Sequence, residues 1–282
     1  GLQPIDSFGC NGDYISSIIS CGELNKDELI KLVELGNYII NYEIKPKETG
    51  FAYPQALIGI LDLYIYLLKL GDNNSLKLSN NNSLKQFMNN CLKKCIEIFD
   101  KFDTIFPKIN LNNSGVFYAN WQVQFLVQLC NAIEQHNRNT HNNRENRDFI
   151  KEVIDKIINK IIVIVNKVSS VNINSLQYNE VVVLFEMYCA ANSIPYLKLY
   201  SESIRDYQTY IQRFFQNSIT GGIGENDYDK AIRIDFTGHC ISALLYKYGK
   251  GDLIQEIWNA ITDGREFIHR MNKTKIGSLV SE

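Results

Sequence analysis

The sequence lacks any apolar run of the roughly eighteen residues that a membrane span requires. Its longest greasy stretch, Ile157 to Val165, is broken by Asn159 and Lys160, which excludes a transmembrane helix. A dominant charge is missing too. With 29 basic and 31 acidic residues, a net charge of -2 and a pI near 6.2, there is no clustered basic excess of the kind a phosphate backbone selects, so a nucleic-acid partner is set aside. The first residues, Gly1-Leu2-Gln3-Pro4-Ile5-Asp6, carry neither a basic segment nor an apolar one, so no secretory signal is read there and a cytoplasmic location is expected. The seven cysteines (Cys10, Cys21, Cys91, Cys95, Cys130, Cys189 and Cys240) form no Cys-x-x-Cys pair and no Cys/His finger spacing. They read as reduced thiols in a core, and neither a metal nor a cofactor is expected. Also absent are a phosphate-binding Walker loop, a dinucleotide-binding glycine fingerprint, a nucleophile elbow and a His-Glu-x-x-His pair.

What is present is an ordinary globular composition, 45% hydrophobic and 21% charged, over 282 residues. A single core of that size buries roughly three quarters of the unfolded surface, so residues 1–282 are expected to form one domain. Asn-rich tracts such as Asn80-Asn81-Asn82 and Asn137 to Asn146 read as loops. The informative signal is a pattern repeating about every 55 to 65 residues: a Gly or Asn turn, a few aromatic or polar residues, an apolar helix, a polar loop, then an amphipathic helix. The entries are Thr49-Gly50-Phe51-Ala52-Tyr53-Pro54-Gln55, Ser114-Gly115-Val116-Phe117-Tyr118-Ala119-Asn120-Trp121, Asn172 to Tyr178, and Thr220-Gly221-Gly222-Ile223-Gly224-Glu225 running on to Asp235. Pro54 suits a first helical turn, where its missing N–H costs nothing.

The pattern predicts inner helices over Gln55–Leu70, Asn120–Glu134, Asn179–Ala191 and Asp235–Tyr248, apolar around most of their circumference. Between them it predicts outer helices, charged on one face, over Asn25–Tyr42, Ser83–Phe102, Asn146–Val168, Tyr196–Phe215 and Asp252–Met271. Phe8 to Ile19 reads as a degraded first inner helix and Lys275 to Leu279 as a sixth entry. No segment alternates apolar and polar residues long enough to be a strand. Serial hairpins of this kind build either a closed α/α toroid or an open solenoid, and polar entries on greasy helices favour the toroid.

These residues resemble the α/α toroid superfamily, which includes six-hairpin carbohydrate enzymes, terpenoid cyclases and protein prenyltransferase β subunits. The carriers are Gly221-Gly222 followed by Arg233-Ile234-Asp235-Phe236-Thr237-Gly238-His239-Cys240. Against the cyclase motif Asp-x-Asp-Asp-Thr, Asp235 falls on the central protonating acid and Thr237 on the threonine, while Arg233 and Phe236 depart from it. His239 falls on the prenyltransferase zinc histidine, without the Asp-x-Cys pair that accompanies it. Tyr118-Ala119-Asn120-Trp121 with Phe125 is similar to the aromatic entries of carbohydrate-processing toroids, on whose rings sugars stack.

Asp235 and His239, four residues apart, share a helix face near its start, where a carboxylate orients a histidine or acts as acid or base itself. Glu180 stands at the matching depth of the preceding inner helix, and it completes the catalytic candidates with Asp235 and His239. The substrate-binding candidates are Tyr53, Gln55, Asn120, Trp121, Gln124 and Arg233, with Glu225 and Tyr228 on the Gly221–Arg233 loop. The plain alternatives are a helix cap for Asp235, core packing for His239 and the aromatics, and a solvated linker for the loop. The first functional expectation is an enzyme acting on a small-molecule or oligosaccharide substrate, as carbohydrate hydrolase, lyase or epimerase. Two others stand beside it: a terpenoid cyclase or prenyltransferase-like isoprenoid enzyme, and a non-catalytic helical-repeat module that binds a protein partner.

Overall fold

The second helix starts where side chains supply what its open backbone end needs. The computed structural model describes residues 6–20, 24–42, 52–72, 82–106, 108–109, 115–139, 144–194, 198–216, 222–224 and 233–248. About 90% of these are helical and none lies in a strand; one isolated antiparallel bridge joins Gln216 and Ile223. The helices are α1 Asp6–Ser20, α2 Lys26–Asn41, α3 Ala52–Asp72, α4 Asn82–Asp100, α5 Phe102–Ile105, α6 Gly115–Asn139, α7 Arg144–Ser169, α8 Tyr178–Ser193, α9 Ser201–Phe214 and α10 Ile234–Tyr248. At the head of α2, Asn25 Oδ1 accepts from the N–H groups of Asp27 and Glu28, both at 3.0 Å, and Glu28 accepts from Asn25 N–H at 2.9 Å. This reciprocal box satisfies donors that the helix itself leaves open. No described helix is long and apolar enough to cross a membrane.

The helix boundaries follow the repeat, with instructive differences. The segment expected to lead into the second inner helix is already helical from Gly115, because Val116 and Ala119 are buried and extend the apolar face by another turn. The expected outer helix at Tyr196 starts instead at Ser201, after a short 3-10 turn over Lys198–Tyr200. Phe8 to Ile19 belongs to a complete helix rather than a degraded one. The expected helix over Asp252–Met271 and the entry at Lys275–Leu279 lie outside the described residues.

The chain's contacts group into two compact units, Gly1–Ile164 and Val165–Glu282, each with buried apolar residues of its own. In the first unit α3 packs against α1 on one side and α6 on the other, while α2 and α4 pack against each other and against α3. The three inner helices run parallel. Ser16 bonds Asp62, Asp62 bonds Gln128, Tyr64 bonds His136 and Leu68 O bonds Asn139, so residue numbers rise together along all three. Each outer helix shows its helical stripe: α4 buries Phe87, Cys91, Cys95 and Ile98, spaced four, four and three apart. Full burial of Phe87 or Ile98 contributes about 1.5–3 kcal/mol before chain entropy is set against it.

The approach of α1 to α3 is closer than side chains allow. A Cβ on Gly12 would stand 2.6 Å from Ala56 Cα, and one on Gly59 2.5 Å from Gly12 Cα, so the two helices meet backbone to backbone. In the second unit α8 packs against both α9 and α10. Val181 to Ala191 of α8 are all buried. The start of α10 is fixed by a small knot: Arg233 N–H donates to Ile223 O at 2.9 Å, and Ile223 N–H donates to Thr237 Oγ1 at 3.1 Å. Thr237 Oγ1 in turn donates to Arg233 O at 2.9 Å.

Two outcomes follow. Gly12→Val forces a branched side chain into backbone and is expected to lower stability by about 3 kcal/mol in urea unfolding. Gly238→Ala, where nothing lies within 4 Å of the new Cβ, is expected to raise it by up to about 1 kcal/mol. A further outcome concerns His136, whose Nδ1 lies 2.7 Å from Tyr64 Oη and whose burial holds the imidazole below the ordinary 6.5. The folded state therefore takes up this proton less readily than the unfolded chain. Stability is retained above about pH 6.5 and lost as pH falls below it. Urea midpoints measured between about pH 7.5 and pH 5.5 are expected to fall less steeply for His136→Gln than for the native chain.

Candidate functional site

Glu186 is the single charged residue in the buried stretch Val181 to Ala191 of α8. An ionisable group at such a position needs a partner, since an unpaired charge in an apolar interior costs several kcal/mol. Its partner comes from α10: His239 Nδ1 lies 2.7 Å from Glu186 Oε2. The carboxylate side chain is 3% exposed and the histidine 18%. Because an ionised carboxylate only accepts, the hydrogen stays on Nδ1, and the basic lone pair of the neutral ring is on Nε2. The ring is further held by Phe236, which stacks on it at a centroid separation of 6.3 Å. An oriented histidine backed by a buried carboxylate is equipped to take and return a proton.

In comparisons with known proteins, no family model, no curated sequence and no solved structure matches the chain.

The other second-unit candidates occupy the helix entries. Asp235 is half exposed and receives two hydrogen bonds from Arg233, at 3.1 Å from Nε and 2.8 Å from Nη2. That pairing holds the guanidinium above its usual range and keeps it 5.0 Å above the Phe236 ring. Glu180 accepts from Gln177 N–H at 2.9 Å, so its carboxylate closes the first turn of α8. Of the three catalytic candidates, His239 is therefore the one held by a buried carboxylate, and that carboxylate is Glu186. Asp235 had been expected to orient it because the two share a helix face; the partner comes from the neighbouring helix instead. Glu186 carried a readable signal, a lone acid inside an eleven-residue buried run. Glu225 and Tyr228 lie outside the described residues.

In the first unit Tyr53 is 4% exposed and packs on Phe106, with ring centroids 6.1 Å apart, so it is a core residue. Burial pushes its phenol well above the ordinary range. Asn120 and Gln124 are also buried, and Gln124 Nε2 donates to Asn120 Oδ1 at 3.0 Å. Gln55 and Trp121 are half-buried, and Gln55 Nε2 donates to Asp13 Oδ2 at 3.5 Å. Two open grooves of about 410 and 400 Å³ lie elsewhere, one beside Tyr42 and Lys94, the other between Phe102 and Val163.

The inner-helix thiols are chemically quiet. Burial pushes Cys130 up to about 12, and it raises Cys189 and Cys240 further, with Glu186 adding to both. All three keep their protons at neutral pH and are poor nucleophiles or metal ligands. Among the described residues no group of three or more His, Cys, Asp or Glu side chains is placed to hold a metal ion.

If Glu186 is needed to satisfy His239, its replacements separate by hydrogen-bonding capacity. Glu186→Ala is expected to cost about 3 kcal/mol in thermal or urea unfolding. Glu186→Gln, which keeps an acceptor, is expected to cost about 1 kcal/mol. Equal losses for the two would mean that volume, not the hydrogen bond, matters at this position.

Proposed function

We propose that the protein is an acid–base enzyme acting on a carbohydrate, as hydrolase, lyase or epimerase, within hairpins arranged as an α/α toroid. The observation that carries this reading is the 2.7 Å contact between His239 Nδ1 and the buried Glu186 carboxylate. A histidine so held has a fixed tautomer and an orientation that need not be found during the reaction. In this reading the proton is exchanged at Nε2, and Glu186 stabilises the imidazolium as it forms. Further support comes from the parallel helices α1, α3 and α6, which bring chain entries to one end of the first unit. A carbohydrate suits an oriented histidine, because its hydroxyls both donate and accept where apolar substrates do neither.

A second reading has its own observation. Tyr178, Phe215 and Phe236 form an aromatic cluster at the entries of α8 and α10, with Tyr178 to Phe236 at 5.3 Å, and Arg233 lies over it. Aromatic faces beside a guanidinium suit an isoprenoid diphosphate.

Screening the purified protein against oligosaccharide and prenyl diphosphate libraries tests both readings. Turnover of a saccharide that falls by about 10²- to 10⁴-fold in His239→Gln is the expected result. Saccharide turnover indifferent to that substitution would remove His239 from the chemistry. Turnover of a prenyl diphosphate instead would favour the second reading, and no turnover in either library would leave the chain as a binding module.

A further inference from the structure

We propose that a single ordered water molecule is bound inside the second unit, among Tyr188 of α8, Tyr200 of the 3-10 turn and Tyr207 of α9. The Tyr188 ring centroid lies 5.8 Å from that of Tyr200 and 5.2 Å from that of Tyr207. These residues are 2%, 7% and 7% exposed, so their hydroxyl groups depend on partners inside the fold. Two of the three have them. Ser169 Oγ donates its one hydrogen to Val165 O at 2.8 Å, so across the 2.9 Å to Tyr188 Oη it accepts and Tyr188 donates. Tyr188 shares a second hydrogen bond with Tyr207, and since its own hydrogen is committed, Tyr207 is the donor there. The chain therefore runs from Tyr207 through Tyr188 and Ser169 to Val165 O, and no donor among the described residues reaches the Tyr207 oxygen at its open end.

Tyr200 is the exception. Its backbone N–H donates to Asn192 Oδ1 at 3.3 Å, but its hydroxyl is closed off from solvent and meets no hydrogen-bonding group among the described residues. A phenol kept in that state destabilises the fold, and phenylalanine would fill the same space without the penalty. The partner it needs takes a hydrogen from Tyr200 and gives one to an acceptor such as the Tyr207 oxygen. Water is the smallest species that does both, and buried waters characteristically join groups of this kind. An ion fits less well. No side chain of the cluster is charged, and burial raises all three phenols, with Tyr188 adding to the shift of Tyr200 and Tyr207, so they stay protonated at neutral pH. The position of the turn gives the water a task. Lys198–Tyr200 throws Leu199 outward, 66% exposed, and Tyr200 inward, and a bridge from Tyr200 to Tyr207 fixes the start of α9 against α8.

This inference stands apart from the acid–base reading, since none of these groups belongs to the His239 site. Tyr200→Phe keeps the ring and removes only the hydroxyl. With a water bound, that substitution strips away one of its hydrogen bonds, and the melting temperature is expected to fall by about 2–4 °C. A melting temperature equal to or above that of the native chain overturns the proposal, because deleting a hydroxyl that has no partner relieves the fold. The native chain supplies a second measurement that does not depend on the variant folding. Its crystal structure, at about 1.8 Å or better, is expected to show a water about 2.5–3.0 Å from Tyr200 Oη. A protein group in that place, or a Tyr200 hydroxyl with no water beside it, overturns the proposal as well.

Discussion

The contact between Gly12 and Gly59 sets the distance between α1 and α3, and much of the first unit's polar architecture depends on that distance. Two helices that meet backbone to backbone bring short side chains within reach of each other one turn further on. Ser16 lies four residues past Gly12 and Asp62 three past Gly59, and their oxygens meet at 2.6 Å. With larger residues at the crossing the axes would stand farther apart, and a serine hydroxyl would fall short of the carboxylate. Dispersion also benefits, because close-packed backbones leave little void along the seam.

In both units an acid interrupts an inner helix that is otherwise apolar, and in both it is satisfied by a neighbouring inner helix. Asp62 of α3 receives Ser16 from α1 and Gln128 from α6; Glu186 of α8 meets His239 of α10. Such a group is costly to bury and gains little net stability from its partner, so its value lies in specifying which residues stand opposite each other. A slip of one residue along either helix would leave a carboxylate against apolar side chains. The two environments differ in degree. Asp62 is half-buried while Glu186 is nearly sealed beside the histidine it holds.

Entry residues turned out to have mostly local duties. Glu180 closes a helix turn, Asp235 holds Arg233, and Tyr53 fills core beside Phe106. Acids near helix starts are favoured there by the backbone's own field whether or not a ligand exists, and so they are weak pointers to chemistry. Lone acids deep in apolar helices are better pointers, because nothing local accounts for them.

Sequence alone determined the helical class, the alternation of wholly apolar and one-sided helices, and most helix limits, because these rest on periodicity and on capping groups within a few residues of each other. It also singled out His239, through its place on an inner helix. Tertiary structure decided the pairings. That Glu186 rather than Asp235 faces His239, that Asp62 joins three helices, and that Tyr53 turns inward all depend on which turns of separate helices stand side by side. Side chains 53 and 46 places apart in sequence are brought to hydrogen-bonding range by helix crossing and register, and local pattern carries no record of either.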